Sequence, residues 1–179
     1  GPAVVVDPGR LGSVLEGAKR PGHFVGVATV VAKILSVIRP DIADWGAKDA
    51  QQNVVIRRLS LDLGLNVQHL VVPTVRAGDG LALSSRNERL SPEERTAATV
   101  LYAALSEAYG LWADGERRAD AIRAHVRAKV GRESRVELDY VSVADPSELI
   151  ELDQLSPGTL LSLAARVGPV RLIDNVVLD

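Results

Sequence analysis

Cysteine and methionine are both absent from this chain of 179 residues, and aromatic residues make up only 3% of it. Without cysteine there can be no disulfide framework, no Cys-ligated zinc site and no thiol nucleophile. No apolar run approaches the ~20 residues that a membrane-spanning helix needs. The formal net charge is -2, so no excess of basic charge indicates nucleic acid or an anionic membrane as a partner.

What is present is an ordinary globular composition, with 46% hydrophobic and 25% charged residues. This supplies enough apolar material for a core, and the length fits one domain or two small ones. The composition is compatible with a cytoplasmic enzyme, and that is the location we expect.

The first part of the chain alternates short apolar runs with helical periodicity. A helix is predicted from His23 to Pro40, where apolar residues recur three and four apart, and another over 48–63, with Gly64 as its C-cap. Strands are predicted over 4–6, 41–45 and 66–75. This alternation predicts an α/β fold with a parallel sheet, in which ligands bind beyond the carboxyl ends of the strands.

The second part has a different pattern. Ser91 begins a helix as N-cap, with Pro92 at the first helical position and Glu94 closing a capping box, and Gly110 is predicted to stop it. A second helix is predicted over 116–130, followed by strands over 136–144, 159–166 and 170–177. Two helices and then three strands indicate an α+β unit. The boundary is predicted near Val75, giving domains of 1–75 and 76–179.

The first cluster that could carry chemistry is at a predicted strand-to-helix junction. Gly46 would let a ligand approach the backbone, and the helix N-terminus favours anions. Lys48 adds a mobile positive charge suited to phosphate, Asp49 can accept hydrogen bonds from ribose hydroxyls, and Gln52 lies one turn further on. Taken alone, the pattern favours a plainer explanation, a capped surface helix with a polar first turn.

The second cluster is the run Ser84, Ser85, Arg86 and Asn87. Two hydroxyls and a guanidinium on a loop make a good clamp for phosphate oxygens. Taken alone, a polar turn leading to the Ser91 cap explains the run equally well. From the residues themselves we infer a phosphate or nucleotide site in an α/β domain.

A third run, Arg20-Pro21-Gly22-His23-Phe24, precedes the first helix. A single histidine at a helix start is more often a cap or a surface residue than a catalyst. His69 and His125 are isolated in the sequence and lack the spacing of metal ligands. No metal site is predicted from these residues.

These clusters, in this order, resemble the pantothenate synthetase family. The match extends over essentially the whole chain, and the segments that resemble the family most are 15–17, 20–27, 39–41, Gly46 with 48–49 and 51–52, 72–76, 79–87, 164–166 and 171–175. The run Leu83-Ser84-Ser85-Arg86-Asn87 is specific, and the run Lys48-Asp49-Ala50-Gln51-Gln52 at the right distance strengthens the match. Two local departures are Ala50, where the family usually has Phe or Tyr, and Trp45, where it often has Phe.

The resemblance implies a fold and a relation to a longer protein. It implies that residues 1–75 are the C-terminal half of a Rossmann-like nucleotidyltransferase domain that binds ATP and pantoate. Residues 76–179 would be a smaller α+β lid domain. The family's first half carries a Met-Gly-x-Leu-His-x-Gly-His motif that holds the ATP phosphates, and this sequence contains no such motif. We therefore expect the chain to be a C-terminal portion and to be inactive by itself.

The resemblance also implies an activity on the way to coenzyme A. ATP, with Mg²⁺, would drive the condensation of pantoate with β-alanine through a pantoyl adenylate, releasing AMP and pyrophosphate. It further implies a homodimer.

Roles for individual residues are implied in the same way. Lys48 with Ser84, Ser85 and Arg86 would serve the phosphates. Gly46 and Asp49 would hold the ribose, and backbone groups of Val75 and Leu83 would flank the adenine. The residues implied for pantoate are Gln52, Val30 and Val31.

Two alternatives remain open at the level of the sequence. The first is another enzyme of the nucleotidyltransferase superfamily, which would use a different nucleotide or ignore pantoate. The second is a non-catalytic fragment that matters only for folding or assembly.

Overall fold

The computed structural model describes all residues, Gly1–Asp179, and they divide into two compact units. An α/β unit contains Gly1–Pro73 with Ser147–Leu149, and an α+β unit contains Thr74–Pro146 with Ile150–Asp179. In this chain the α+β unit is the larger of the two. None of the helices is both long and apolar enough to cross a membrane.

The α/β unit is built on two parallel strands, β1 (Ile42–Gly46) and β2 (Gln68–Val72). Its helices, in chain order, are a 3₁₀ turn (Gly9–Gly12), α1 (Glu16–Lys19), α2 (His23–Ile38) and α3 (Ala50–Asp62). The register pairs Gly46 with Val72, so the carboxyl ends of both strands lie at the same edge of the sheet. The predicted parallel α/β arrangement is confirmed for this pair.

The prediction of a strand over Val4–Val6 is wrong. Val4 is 81% exposed, and the N–H group of Val6 donates to the Thr29 hydroxyl at 2.9 Å instead of to a neighbouring strand. Three β-branched residues favour an extended backbone, but a strand also needs a partner for its peptide groups. In this unit that partner is a helix side chain.

The α+β unit contains one 3₁₀ turn, three α-helices and an antiparallel sheet. Its helices are a 3₁₀ turn (Ser85–Arg89), α4 (Pro92–Ala97), α5 (Val100–Ala113) and α6 (Ala119–Val130). Its strands, paired in the order β3-β4-β5, are β3 (Val136–Ala144), β4 (Thr159–Val167) and β5 (Val170–Leu178). One core of buried apolar residues lies between α5, α6 and the sheet.

The capping box at Ser91 is confirmed, but the predicted helix end at Gly110 is wrong. Ser91 Oγ accepts a hydrogen bond from the Glu94 N–H, and Glu94 accepts one from the Ser91 N–H. Helix α5 continues through Gly110 because the next turn brings Trp112 into the core, where it is only 6% exposed. Its packing outweighs the cost of about 1 kcal/mol for a glycine inside a helix. The left-handed glycine beyond the helix end is Gly115, with φ of 103°.

Candidate active site

The turn from Gly46 to Asp49 joins the end of β1 to the start of α3. Three hydrogen bonds hold it: Ala47 N–H to Val72 O (2.8 Å), Asp49 N–H to Gly46 O (3.3 Å) and Asn53 Nδ2 to Gly46 O (3.0 Å). A Cβ atom added to Gly46 would meet no protein atom within 4 Å. No protein atom therefore requires glycine at this position, which is consistent with a ligand approaching the backbone there.

The first turn of α3 has no side-chain cap. Asp49 occupies the N-cap position, but its side chain accepts no hydrogen bond from the helix. Uncapped N–H groups at a helix start leave the positive end of the helix dipole available to an anion. The plainer explanation from the sequence, a capped surface helix, is wrong in this respect. Lys48 is half-buried and Asp49 is exposed at this helix start.

The two glutamines that follow have different surroundings. Gln51 is buried and fully hydrogen-bonded: its Oε1 accepts from the Glu16 N–H at 3.0 Å, and its Nε2 donates to the carbonyls of Leu11 (2.8 Å) and Val14 (2.9 Å). Gln51 therefore fixes the segment before α2. Gln52 is half-buried, so it remains the candidate for binding a ligand.

The two valines predicted to line a pantoate pocket have different environments. Val30 is 51% exposed on the surface of α2, whereas Val31 is 7% exposed and packs inside the unit. Consecutive residues of a helix face different directions, so the two side chains do not form one wall of a pocket.

The second predicted cluster follows a short hairpin in the α+β unit. Leu83 N–H donates to Val75 O at 2.9 Å, so the two residues predicted to flank the adenine are directly joined. Ser84 Oγ accepts from the Arg86 N–H at 3.2 Å and caps the 3₁₀ turn that begins at Ser85. Asn87 Nδ2 donates to Ala82 O at 3.0 Å and ties this turn back to the hairpin.

The side chains of this cluster differ in their exposure. Ser84 is half-buried, while Ser85 and Arg86 are exposed. The structure thus holds the backbone of the cluster through Ser84 and Asn87 and presents a hydroxyl and a guanidinium to solvent. An exposed hydroxyl beside an exposed planar guanidinium is suited to phosphate oxygens.

His69, which is isolated in the sequence, is hydrogen-bonded to two side chains in the structure. His69 Nδ1 accepts from Trp45 Nε1 at 2.9 Å, and Nε2 lies 2.8 Å from the Ser60 hydroxyl. An indole can only donate, so Nδ1 carries no proton and the ring is neutral. Burial, helped by the positive charge of Arg57, lowers the pKa of His69. The β1–β2 register could have indicated this pair, because Ala43 lies opposite His69 and Trp45 is two residues further along the strand.

No metal centre is formed by the protein side chains alone, since no three His, Asp or Glu groups converge. Mg²⁺ usually keeps several waters and binds through substrate phosphates with one or two protein groups. The phosphate-suited residues are compatible with an ion that enters with a nucleotide.

Two parallel strands end in a turn suited to anions, and an α+β unit with a second polar cluster follows them. Solved structures share this arrangement across the chain and identify it as a nucleotidyltransferase-type fold. Pantothenate synthetase from Thermus thermophilus aligns with 98% of this chain and 64% of its own, with a TM-score of 0.92 and 41% identity. The Francisella tularensis pantoate-β-alanine ligase, complexed with β-γ ATP and β-alanine, aligns with 98% of this chain and 58% of its own, with a TM-score of 0.71 and 29% identity.

The sequence comparisons identify the family. The protein-family model described as Pantoate-beta-alanine ligase matches residues 2–177 of this chain. Pantothenate synthetase of Roseiflexus sp. (strain RS-1) is 53% identical over 174 residues, which are 97% of this chain and 63% of that protein. The chain therefore belongs to the pantoate-β-alanine ligase family and spans less than two thirds of the length of this relative. The predicted family is confirmed.

Proposed function

We propose that the protein carrying this chain condenses pantoate with β-alanine in a reaction driven by ATP. Membership of the ligase family supports the ligation itself. The Francisella tularensis relative was crystallised with a form of ATP and with β-alanine, which supports these two substrates. We further propose that the reaction converts ATP to AMP and pyrophosphate rather than to ADP and phosphate.

The reaction has two steps. A pantoate carboxylate oxygen attacks the α-phosphorus of ATP, the bond to the β-phosphate oxygen breaks, and pyrophosphate leaves. The amine of β-alanine then attacks the acyl carbon of the pantoyl adenylate and loses a proton, and AMP leaves with the former carboxylate oxygen. Both steps depend on holding reactants in line and on meeting negative charge that develops on phosphate oxygens.

The turn between β1 and α3 would receive the ribose and the phosphates. Lys48 would place its ammonium against the phosphates at the uncapped start of α3, where the helix dipole acts in the same sense. Gly46 would let the ribose approach, and Asp49 would accept hydrogen bonds from its hydroxyls. Gln52 would bind pantoate, with Val30 and Val31 nearby on α2.

The α+β unit would supply the remaining nucleotide contacts. The backbone groups of Val75 and Leu83 would flank the adenine ring. Ser84, Ser85 and Arg86 would contact the phosphates, and the guanidinium can bind two oxygens at once. Mg²⁺ that enters with ATP would neutralise part of the phosphate charge.

We also propose a homodimer in the cytoplasm, on the basis of the family resemblance. Analytical ultracentrifugation of the purified protein tests the first point, and a species with the mass of one chain would contradict it.

The observation that carries the proposal is that one family match includes both polar clusters, 46–52 and 83–87. The test is an assay of the protein at its natural length with ATP, pantoate and β-alanine, each omitted in turn. We expect equal amounts of AMP and pantothenate, and AMP formation that requires pantoate. Formation of AMP without pantoate, or turnover of another nucleotide instead of ATP, would contradict the proposal and favour a different nucleotidyltransferase.

A further inference from the structure

A short hairpin, residues 75–83, leads directly into the Ser84–Arg86 cluster. Its two arms are joined by Leu83 N–H to Val75 O and Ala77 N–H to Leu81 O, both at 2.9 Å, and Arg76 pairs with Ala82 across them. Hydrogen bonds within so short a segment do not fix its position on the rest of the unit. Something else must hold it there.

Arg76 joins this hairpin to β5 through a bidentate ion pair. Its Nη1 lies 2.6 Å from Asp174 Oδ2 and its Nη2 lies 2.9 Å from Asp174 Oδ1. Asp174 is only 3% exposed, and its Oδ1 also accepts from the Asn175 N–H. The two partners are 98 residues apart in sequence, so the contact fixes one arm of the hairpin against the last strand.

Tyr102 on α5 holds the same guanidinium from another side. The central carbon of the Arg76 guanidinium lies 3.7 Å from the centre of the ring. The turn of the hairpin also rests on this ring, because a Cβ atom on Gly80 would lie 2.4 Å from Tyr102 Cδ1. Gly80 has φ of 90°, and its carbonyl accepts from Arg76 Nη1 at 3.2 Å. One ring thus locates both an arm and the turn.

A buried ion pair is weak evidence for stability, since desolvation of the two charges offsets their attraction. What a planar bidentate pair with a stacked ring supplies is a single geometry. A second ion pair, between Arg95 and Asp79, also involves the turn, and the hydrogen bond from Arg95 lowers the pKa of the Asp79 carboxyl. Both of these side chains are more exposed than those of Arg76 and Asp174, so this pair restricts the hairpin less. The Arg76 contacts are therefore the ones that restrict the hairpin to one position.

We propose that Arg76, held by Asp174 and Tyr102, is a positioning residue for the nucleotide. It sets the location of the adenine-flanking backbone of Val75 and Leu83 and of the phosphate-binding run that follows them. This inference rests on the proposed function, and it adds a residue that itself contacts no substrate.

The main variant is Arg76→Lys, which keeps a positive charge beside Asp174 but cannot form the fork or stack flat. We expect the KM for ATP to rise on the order of tenfold or more, because a displaced hairpin weakens hydrogen bonds to the nucleotide, and one such bond is worth about tenfold in affinity. The KM for pantoate should stay within about twofold. Tyr102→Phe keeps the ring and should match the parent, whereas Tyr102→Leu should raise the KM for ATP. Gly80→Ala should do the same without altering any charge.

A matched control is Arg123→Lys in the same unit. The Arg123 side chain is as buried as that of Arg76 (11% against 16% exposed), and it binds Glu151 and the carbonyls of Val143 and Leu152. None of these groups belongs to the hairpin. The control should affect stability but leave the KM for ATP unchanged.

Two measurements on the protein at its natural length decide the matter: steady-state rates with ATP and pantoate varied separately, and amide hydrogen exchange at Ala77 and Leu83. Faster exchange together with a selective rise in the KM for ATP supports the proposal. An unchanged KM for ATP, or an equal change for both substrates, overturns it even if the hairpin exchanges faster. Failure of the proposed function has a different signature, namely that the parent forms no pantoate-dependent AMP, and that result would also remove this proposal.

Discussion

The two units differ in how completely each buries its own apolar side chains. The core of the α+β unit includes Leu101, Leu105 and Leu163, each at most 1% exposed. In the α/β unit, Val37 on α2 is 82% exposed and Val72 on β2 is 46% exposed. A sheet of only two strands is at best marginally stable by itself. We infer that the α+β unit supplies most of the stability of the chain.

The difference extends to the two polar clusters. The α+β cluster follows a hairpin that is tied to β5, a strand of the sheet that encloses the core. The α/β cluster lies on a turn at the end of a two-stranded sheet and depends on backbone bonds and Asn53. The two clusters proposed to bind the nucleotide are thus held by different kinds of contact, a buried ion pair in one unit and a short turn in the other.

The largest expected effect is on folding of the separate units. Residues 74–179, expressed alone, should unfold cooperatively in urea, whereas residues 1–73 alone should show no cooperative transition. Circular dichroism during denaturation measures both. In the 74–179 segment, Leu163→Ala should cost roughly 2–5 kcal/mol, because it empties a fully buried position. If residues 1–73 unfold cooperatively, or if residues 74–179 do not fold alone, the α+β unit is not the main source of stability.

The second prediction concerns the α/β cluster. Lys48→Ala should lower the rate of pantoyl adenylate formation by about a hundredfold or more, since one positioned charge facing developing phosphate charge is removed. Pantoate affinity should change little. Single-turnover release of pyrophosphate measures the rate, and Lys33→Ala, on the exposed surface of α2, is the control. An unchanged rate in Lys48→Ala would take this residue out of the mechanism.

The third prediction concerns the α+β cluster. Arg86→Lys should lower kcat/KM for ATP on the order of tenfold, because an ammonium cannot hold two phosphate oxygens as a planar fork does. Arg89→Lys, at the other end of the same 3₁₀ turn, is the matched control and should behave like the parent. If both variants equal the parent, Arg86 acts as a point charge or lies outside the site.

The smallest expected effect is a pH dependence of the α/β unit. The fold lowers the pKa of His69, so the unfolded chain binds the proton more tightly and stability falls as pH drops below about 6.5. Protonation of Nδ1 also removes the acceptor for Trp45 Nε1. In a Trp112→Phe background, Trp45 is the only tryptophan, and its fluorescence reports unfolding of the α/β unit. The urea concentration at the unfolding midpoint should be lower at about pH 5.5 than at about pH 7.5. In His69→Gln this part of the pH dependence should disappear, and its persistence would assign it to another group.

Local patterns predicted much of the fold because the signals lie within a few residues of one another. The Ser91 capping box, strand β3 and helix α2, which ends at Ile38 just before Pro40, follow from the spacing of nearby residues. The polar residues at a strand-to-helix junction and on a loop indicated the two clusters, and the family resemblance then implied a role for each residue. Whether those residues act as predicted stays a prediction.

Contacts between distant residues could not be predicted in this way. Gln51 bonds to carbonyls 37 and 40 residues away, and its neighbour Gln52 looks equivalent in sequence. No local pattern indicates the ion pair between Arg76 and Asp174, because the two residues are 98 positions apart. Local patterns also misled where packing decides, as at Gly110, because the gain from burying Trp112 is not visible within one helical turn.

We propose that this chain belongs to an enzyme that activates pantoate as an acyl adenylate. The most direct measurement uses pantoate labelled with a heavy oxygen isotope in its carboxylate, together with ATP and β-alanine. We expect one labelled oxygen in the phosphate of AMP for each pantothenate formed, because AMP leaves with the carboxylate oxygen that attacked the α-phosphorus. Label that appears in inorganic phosphate with ADP, or AMP without label, would contradict it.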